Sequence, residues 1–307
     1  MDIITLATGE PDFDTPDRTR LAGIRTISQG RTHYAESRGL AALREAIAAR
    51  LREEKGIACT AANILLAPGG KYAIYETVCT LIDPGESQEV MILNPGWVSY
   101  APIATAAGAV PVGVELSFVD NYRITREALE RAVSPNTRLL ILNYPNNPTS
   151  CILSREEAEC VADFIVDHNL LALADEVYSA IIYDGAESVS LASIPRAADR
   201  FITINGFSKS AAMTGWRLGY LCAPGEITDM VQMLNQHTIS YLSEFSMLAA
   251  LEALQCGDAL SAMVDSYRAR RDFFVPALNA IPGVTCHMPK GAFYCLGQSG
   301  SGRKDQL

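Results

Sequence analysis

Lys209 is the first candidate nucleophile in this chain. It follows Ser208 just past the apolar run at residues 201–204, and Thr214-Gly215-Trp216-Arg217 comes shortly after. A lysine at a strand end serves as a Schiff-base amine when its surroundings depress its pKa, because the neutral amine is the nucleophile. Asp175-Glu176 closes another apolar run, residues 170–174, with Tyr178 three positions beyond the aspartate. A buried aspartate at such a point can hold a protonated ring nitrogen, and the tyrosine hydroxyl can reach an oxygen on the same ring, which makes the ring an electron sink. Asn143-Tyr-Pro-Asn-Asn-Pro-Thr149 packs three asparagines and two prolines into seven positions, and Asn147 can offer both a donor and an acceptor to a ligand. Gly69-Gly70-Lys71 sits between a strand and a helix, where unpaired amides and the helix dipole suit a phosphate. Trp97, in Asn94-Pro-Gly-Trp-Val-Ser-Tyr100, offers a flat face for stacking on a ring.

Each of these residues also has an ordinary structural use. Most lysines are solvated surface charges, since burying an ammonium is costly. Aspartate at a strand-to-helix junction is a common N-cap. An asparagine- and proline-rich loop makes Asx turns, paired glycines make tight turns, and a tryptophan is often a plain core aromatic. The glycine turn matches neither the Rossmann nor the Walker pattern.

The elements that would position these residues follow from the periodicity. Leu40, Leu43, Ile47 and Leu51 fall three or four apart and predict a helix over residues 40–54. Strands are predicted at 63–67, 89–93, 109–114, 138–142, 170–174, 201–204 and 218–222. Helices are predicted at 71–81, 98–107, 125–132, 154–168, 226–236, 243–254 and 259–278, the last leading out of its domain. Ser154 and Glu157 stand at capping-box spacing. Apolar strands separated by helices indicate an α/β fold with a mainly parallel sheet covered on both faces. Ligands then bind at the carboxyl ends of the strands. The small, polar and charged stretch 297–307 is predicted to be disordered.

Composition narrows the partners. The chain has 307 residues, 49% of them hydrophobic, and a formal charge of −10 with no basic block. Nucleic acid and anionic membrane are therefore excluded as expected partners. No stretch approaches the roughly 20 apolar residues of a membrane span, and no leader pattern opens the chain, so it reads as cytoplasmic. The eight cysteines lack metal or disulfide spacing and read as reduced core thiols, with no metal expected.

In order along the chain, these segments resemble the class I/II aminotransferases of fold type I, particularly the aspartate and aspartate/prephenate branch. The match runs through Gly9-Glu-Pro-Asp-Phe-Asp-Thr-Pro16, Thr32-His-Tyr34, Gly39-Leu-Ala-Ala-Leu-Arg44, Gly69-Gly-Lys71, Trp97-Val-Ser-Tyr100, Asn143 to Thr149, Asp175-Glu-Val-Tyr178, Ser208-Lys209, Gly215-Trp-Arg217 and Gly291-Ala-Phe-Tyr294. The resemblance implies pyridoxal 5'-phosphate as cofactor, with Lys209 as Schiff-base lysine and proton shuttle and Asp175 on the ring nitrogen. It implies that Tyr178 and Asn147 hold the ring oxygen and Trp97 stacks on the ring. Ser208, Arg217 and the amides of Gly70 and Lys71 would hold the phosphate, completed by Tyr34 of a second subunit in a homodimer with shared sites. Gly9 would approach the substrate α-carboxylate, with Asn147 and Trp97 beside it, and Lys71 would meet the distal carboxylate of aspartate or glutamate. The implied reaction is ping-pong transfer of an amino group to a 2-oxo acid. Two other readings share the cofactor: a β-eliminating lyase, and a catalytically impaired binding or dimerisation fragment.

The resemblance implies a large domain over residues 15–277, with residues 1–14 and 278–307 belonging to a smaller one that is incomplete, its C-terminal part truncated. It also departs from the family in three places. The family's N-terminal segment ahead of the strand near Ile3, which reaches across to the partner subunit, is missing here. After Tyr294 the chain does not follow the family through the segment whose arginine pairs with the α-carboxylate, a contact worth on the order of 2 kcal/mol. Ser150 stands where the family loop usually ends in glycine, a strained choice if that backbone takes positive φ.

Overall fold

The computed structural model describes Leu6 and residues 8–299. Seven strands form one sheet: β1 (Ile64–Ala67), β2 (Glu89–Asn94), β3 (Val110–Glu115), β4 (Thr137–Asn143), β5 (Leu171–Asp175), β6 (Phe201–Gly206) and β7 (Gly219–Cys222). Their spatial order is β1-β7-β6-β5-β4-β2-β3. The β3-β2-β4-β5-β6 run is parallel, and β7 is antiparallel to both β6 and β1. The central strands read as continuous apolar runs because both faces are covered, and Leu139, Leu140, Ile141 and Leu142 of β4 are all buried.

Ten α-helices are described. They are α1 (Asp17–Ser28), α2 (Ala41–Lys55), α3 (Gly70–Leu81), α4 (Tyr100–Ala106), α5 (Arg126–Glu130), α6 (Arg155–Asp167), α7 (Phe207–Ser210), α8 (Gly225–Thr238), α9 (Glu244–Ala253) and α10 (Gly257–Asn279). One face of the sheet packs with Leu43, Ile47 and Leu51 of α2 and with Val161, Phe164 and Ile165 of α6. The other face packs with Ile74 and Val78 of α3 and Val231 of α8. A third cluster joins Tyr178, Ile181 and Tyr183 to Met263, Val264 and Tyr267 of α10 and to Ala292.

The predicted capping box is formed: Ser154 Oγ accepts the Glu157 amide at 3.2 Å, and Glu157 Oε2 accepts the Ser154 amide at 3.1 Å. The structure adds one element and corrects one expectation. Helix α1 was not predicted, because its segment carries Arg, Asp and Thr among its apolar residues and has no side-chain N-cap. The tail predicted to be disordered begins in order, since Gly297–Ser299 pairs as β9 with β8 (Val284–Cys286). A backbone ladder needs no apolar side chain, so composition missed it; the rest of that tail lies outside the described residues. All eight cysteines are free. Among the described residues no single helix is long and apolar enough to cross a membrane.

Candidate active site

The site lies at the carboxyl ends of β4, β5 and β6, where parallel strands leave a crevice between their connections. Asp175 is the last residue of β5 and is buried. Its Oδ2 accepts the Tyr100 hydroxyl at 2.7 Å and its Oδ1 accepts the Val177 amide at 3.2 Å. No helix follows it, so the N-cap use of this aspartate is not realised. Burial raises its pKa to about 6, although both hydrogen bonds and nearby Lys209 act in the opposite direction.

Lys209 stands in the single turn α7 directly after β6, and its Nζ donates to the Gly9 carbonyl. Burial holds its ammonium below the usual lysine range, which raises the share of nucleophilic amine. The nearby Arg217 cation acts in the same sense, while Glu10 and Asp175 partly oppose it.

The asparagines of the 143–149 loop divide the two uses that the composition allows. Asn143 Nδ2 donates to the Asp175 carbonyl at 2.9 Å, and its Oδ1 accepts the Asn147 amide at 2.7 Å. Asn146 Oδ1 accepts the Thr149 amide three residues on at 2.9 Å and so braces the turn. Asn147 is left to point its side-chain amide at the Tyr294 hydroxyl, 3.2 Å away. That hydroxyl lies 2.5 Å from the hydroxyl of Tyr178. Burial raises both phenols, Tyr294 to about 12, so both are neutral donors at ordinary pH.

A second group gathers at the start of α3. Gly69 has φ +88°, a backbone that favours glycine, and a Cβ there would lie 2.6 Å from Arg217 Nη2 and displace the guanidinium. Arg217, itself at φ 53°, bonds the Thr214 carbonyl at 2.8 Å and the Pro68 carbonyl at 3.4 Å. The first amides of α3, those of Gly70 and Lys71, have no carbonyl partner within the helix and share this corner with the guanidinium. Gly219 of β7 makes the close approach possible, since a Cβ on it would lie 2.5 Å from the Gly70 amide nitrogen. Ser208 is half-buried one residue before Lys209. Lys71 is exposed, with its Nζ 4.8 Å from the centroid of the Trp97 ring, and Trp97 meets Tyr100 edge-on at 5.3 Å.

Lys209, Asp175, Tyr178, Asn147 and Gly9 are thus brought together, and Gly70, Lys71, Trp97, Ser208 and Arg217 border them. Tyr34 is not among them: it is 86% exposed and stacks on Tyr241 at 4.5 Å. Sequence reasoning quoted Tyr100 and Tyr294 within motifs but gave neither a role. Nothing local marks them, because each meets its partner across about 75 residues or more of chain.

In sequence and fold the chain is similar to known aminotransferases. The model of the family "Aminotransferase class I and II" matches residues 1–304. An aspartate aminotransferase of Musicola paradisiaca is 42% identical over 95% of this chain and 73% of its own length. The aspartate aminotransferase from Thermus thermophilus solved with maleate has a TM-score of 0.89 at 37% identity, over 95% of this chain and 76% of that one. An aromatic aminotransferase from Pyrococcus horikoshii has a TM-score of 0.93 at 38% identity, over 97% of this chain and 80% of that one. Sequence and fold agree, and the chain belongs to the class I and II aminotransferases.

Proposed function

We propose that this chain binds pyridoxal 5'-phosphate at Lys209 and transfers the amino group of an acidic amino acid, aspartate or glutamate, to a 2-oxo acid. The observation that carries this reading is the convergence of a lysine with lowered pKa, a buried aspartate and two side-chain donors, the Tyr178 hydroxyl and the Asn147 amide, beside a cationic, glycine-lined helix start. These residues fit the cofactor group by group. The Gly70 and Lys71 amides, Ser208 and Arg217 suit its phosphate, and Trp97 offers a face to its ring. When bound, pyridoxal phosphate supplies a protonated ring that draws electrons from the carbon losing its proton.

The chain's own residues do the rest. Lys209 provides the amine that links the cofactor and, once free, carries the proton to and from the substrate α-carbon. Asp175, ionised, keeps the proton on the ring nitrogen. Tyr178 and Asn147 donate to the ring oxygen. Gly9 approaches the substrate α-carboxylate, and Lys71, held over Trp97 with its ammonium exposed, meets the distal carboxylate. Tyr34 of a second copy completes the phosphate site in a homodimer, a role supported by its exposure here.

The test is the visible absorbance of the purified chain with pyridoxal phosphate, before and after excess L-aspartate. Loss of the lysine-linked band with release of one equivalent of oxaloacetate is expected. An unchanged band would sink the proposed acidic substrate, and no band would sink the cofactor site.

A further inference from the structure

Ser150 is fully buried and its φ is 57°, a left-handed conformation that glycine adopts more readily. What serine adds there is a hydroxyl, and this hydroxyl is used twice on one residue. Ser150 Oγ donates to the Tyr294 carbonyl at 2.8 Å and accepts the Tyr294 amide at 3.1 Å. The Ser150 carbonyl accepts the amides of Lys290 and Gly291, both at 3.2 Å. Gly291 lies so close to the loop that a Cβ on it would come within 2.7 Å of Pro145 Cγ. The strip 290–294 is therefore stitched at Ser150 to the same loop that presents Asn147.

The stitch fixes where the Tyr294 hydroxyl points: 2.5 Å from the Tyr178 hydroxyl, 3.2 Å from Asn147 Nδ2, and against Gly9, where a Cβ would collide with it. Tyr178 has a single hydroxyl proton. If Tyr294 donates into the Tyr178 oxygen, that proton is free to point at a ligand. Asn147, donating one of its two amide protons to Tyr294, orients Tyr294 for this and keeps its second proton for the same ligand atom.

We propose that Ser150 is a positioning residue: its hydroxyl holds Tyr294 so that Tyr178 and Asn147 both aim their protons at the ring oxygen of the bound cofactor. The proposal rests on the ring-oxygen role given above to Tyr178 and Asn147. It assigns to this chain a clamp that a glycine at position 150 could not form.

A double-mutant cycle tests it, with Ser150→Gly, Tyr294→Phe and the pair made in the full chain. Glycine suits the backbone at position 150, so folding is retained. Two quantities are read: amide hydrogen exchange in the peptide containing Tyr294, and the pyridoxal phosphate dissociation constant from visible absorbance. Ser150→Gly is expected to speed exchange at Tyr294 and to raise the dissociation constant by about threefold to tenfold, the worth of one hydrogen bond. Tyr294→Phe is expected to do the same to the constant, and the pair no more than Tyr294→Phe alone. Additive effects on the constant, or a constant unmoved by Ser150→Gly, would overturn the clamp even with normal borohydride trapping at Lys209. Failure of the unmodified chain to trap any cofactor would instead overturn the underlying site reading, and the clamp with it.

Discussion

Asp175 and its partner Tyr100 show how a single side chain sets the working range of another. Burial raises the Asp175 carboxyl to about 6, and the Tyr100 hydroxyl opposes that rise by bonding the ionised form. Tyr100→Phe should therefore raise the pKa further and move the acid limb of the pH–turnover profile to higher pH; a limb that stays in place would show that the hydroxyl does not tune the carboxylate. The same burial makes Asp175 a stability liability. Its folded value of about 6 exceeds the ordinary 3.8, so its favourable contribution is fully present below 3.8 and lost as pH rises through 6. Asp175→Asn should thus melt no lower than the parent at neutral pH while losing at least about a hundredfold in turnover, the usual scale for removing a fixed charge from a site. Near-normal turnover would refute the ring-nitrogen assignment. Lys71→Ala belongs at this scale too: it should raise KM for aspartate about tenfold, the scale of a charged hydrogen bond, and leave KM for tyrosine little changed. Equal effects would remove the case for an acidic substrate.

At the scale of elements, α3 carries the amides of the proposed phosphate corner on its first turn and a buried glutamate on its second. Glu76 is fully buried; its Oε2 accepts from Asn235 Nδ2 of α8 at 2.9 Å, while its Oε1 has no partner among the described residues. Desolvation pushes its pKa to about 8, so at neutral pH it packs largely as the neutral acid. The folded value lies above the ordinary 4.5, so the stability it contributes is complete below 4.5 and lost as pH rises through 8. Glu76→Gln should flatten the stability–pH curve over that window and raise the melting temperature most at its alkaline end. A curve that keeps its slope in the variant would place the titration elsewhere. On the opposite face, Ser154→Ala should cost about 1 kcal/mol in denaturant unfolding by opening the box at the start of α6. Glu157→Ala should cost more, because its Oε1 also accepts the Ile124 amide at 3.0 Å.

For the whole molecule, the exposed face of α1 carries Leu21, Ile24 and Ile27, and Tyr34 lies just beyond it. In the proposed homodimer such apolar surface is covered by the second copy. Sedimentation equilibrium should give twice the chain mass, and Ile24→Asp should shift the distribution toward monomer; a monomeric parent would leave Tyr34 without its proposed site. How much of this was legible beforehand differs by feature. The apolar runs at 138–142 and 170–174 announced buried parallel strands, because a strand covered on both faces has no polar alternation to show. The capping box and the glycine turn were equally visible, since their physics is complete within a few residues. Helix α1 and the β8–β9 pair were not, because one has a broken apolar pattern and the other rests on backbone bonds that no side chain reports. Within the site, residue type and order along the chain were enough to nominate Lys209, Asp175, Tyr178 and Asn147. Only the tertiary structure decided that Asn143 braces while Asn147 points inward, that Tyr100 holds Asp175, and that Ser150 ties Tyr294 into the same network. Those choices depend on distances between segments far apart in sequence, and burial, which raises the pKa of Asp175, Tyr100 and Tyr294, exists only once the sheet has closed over them.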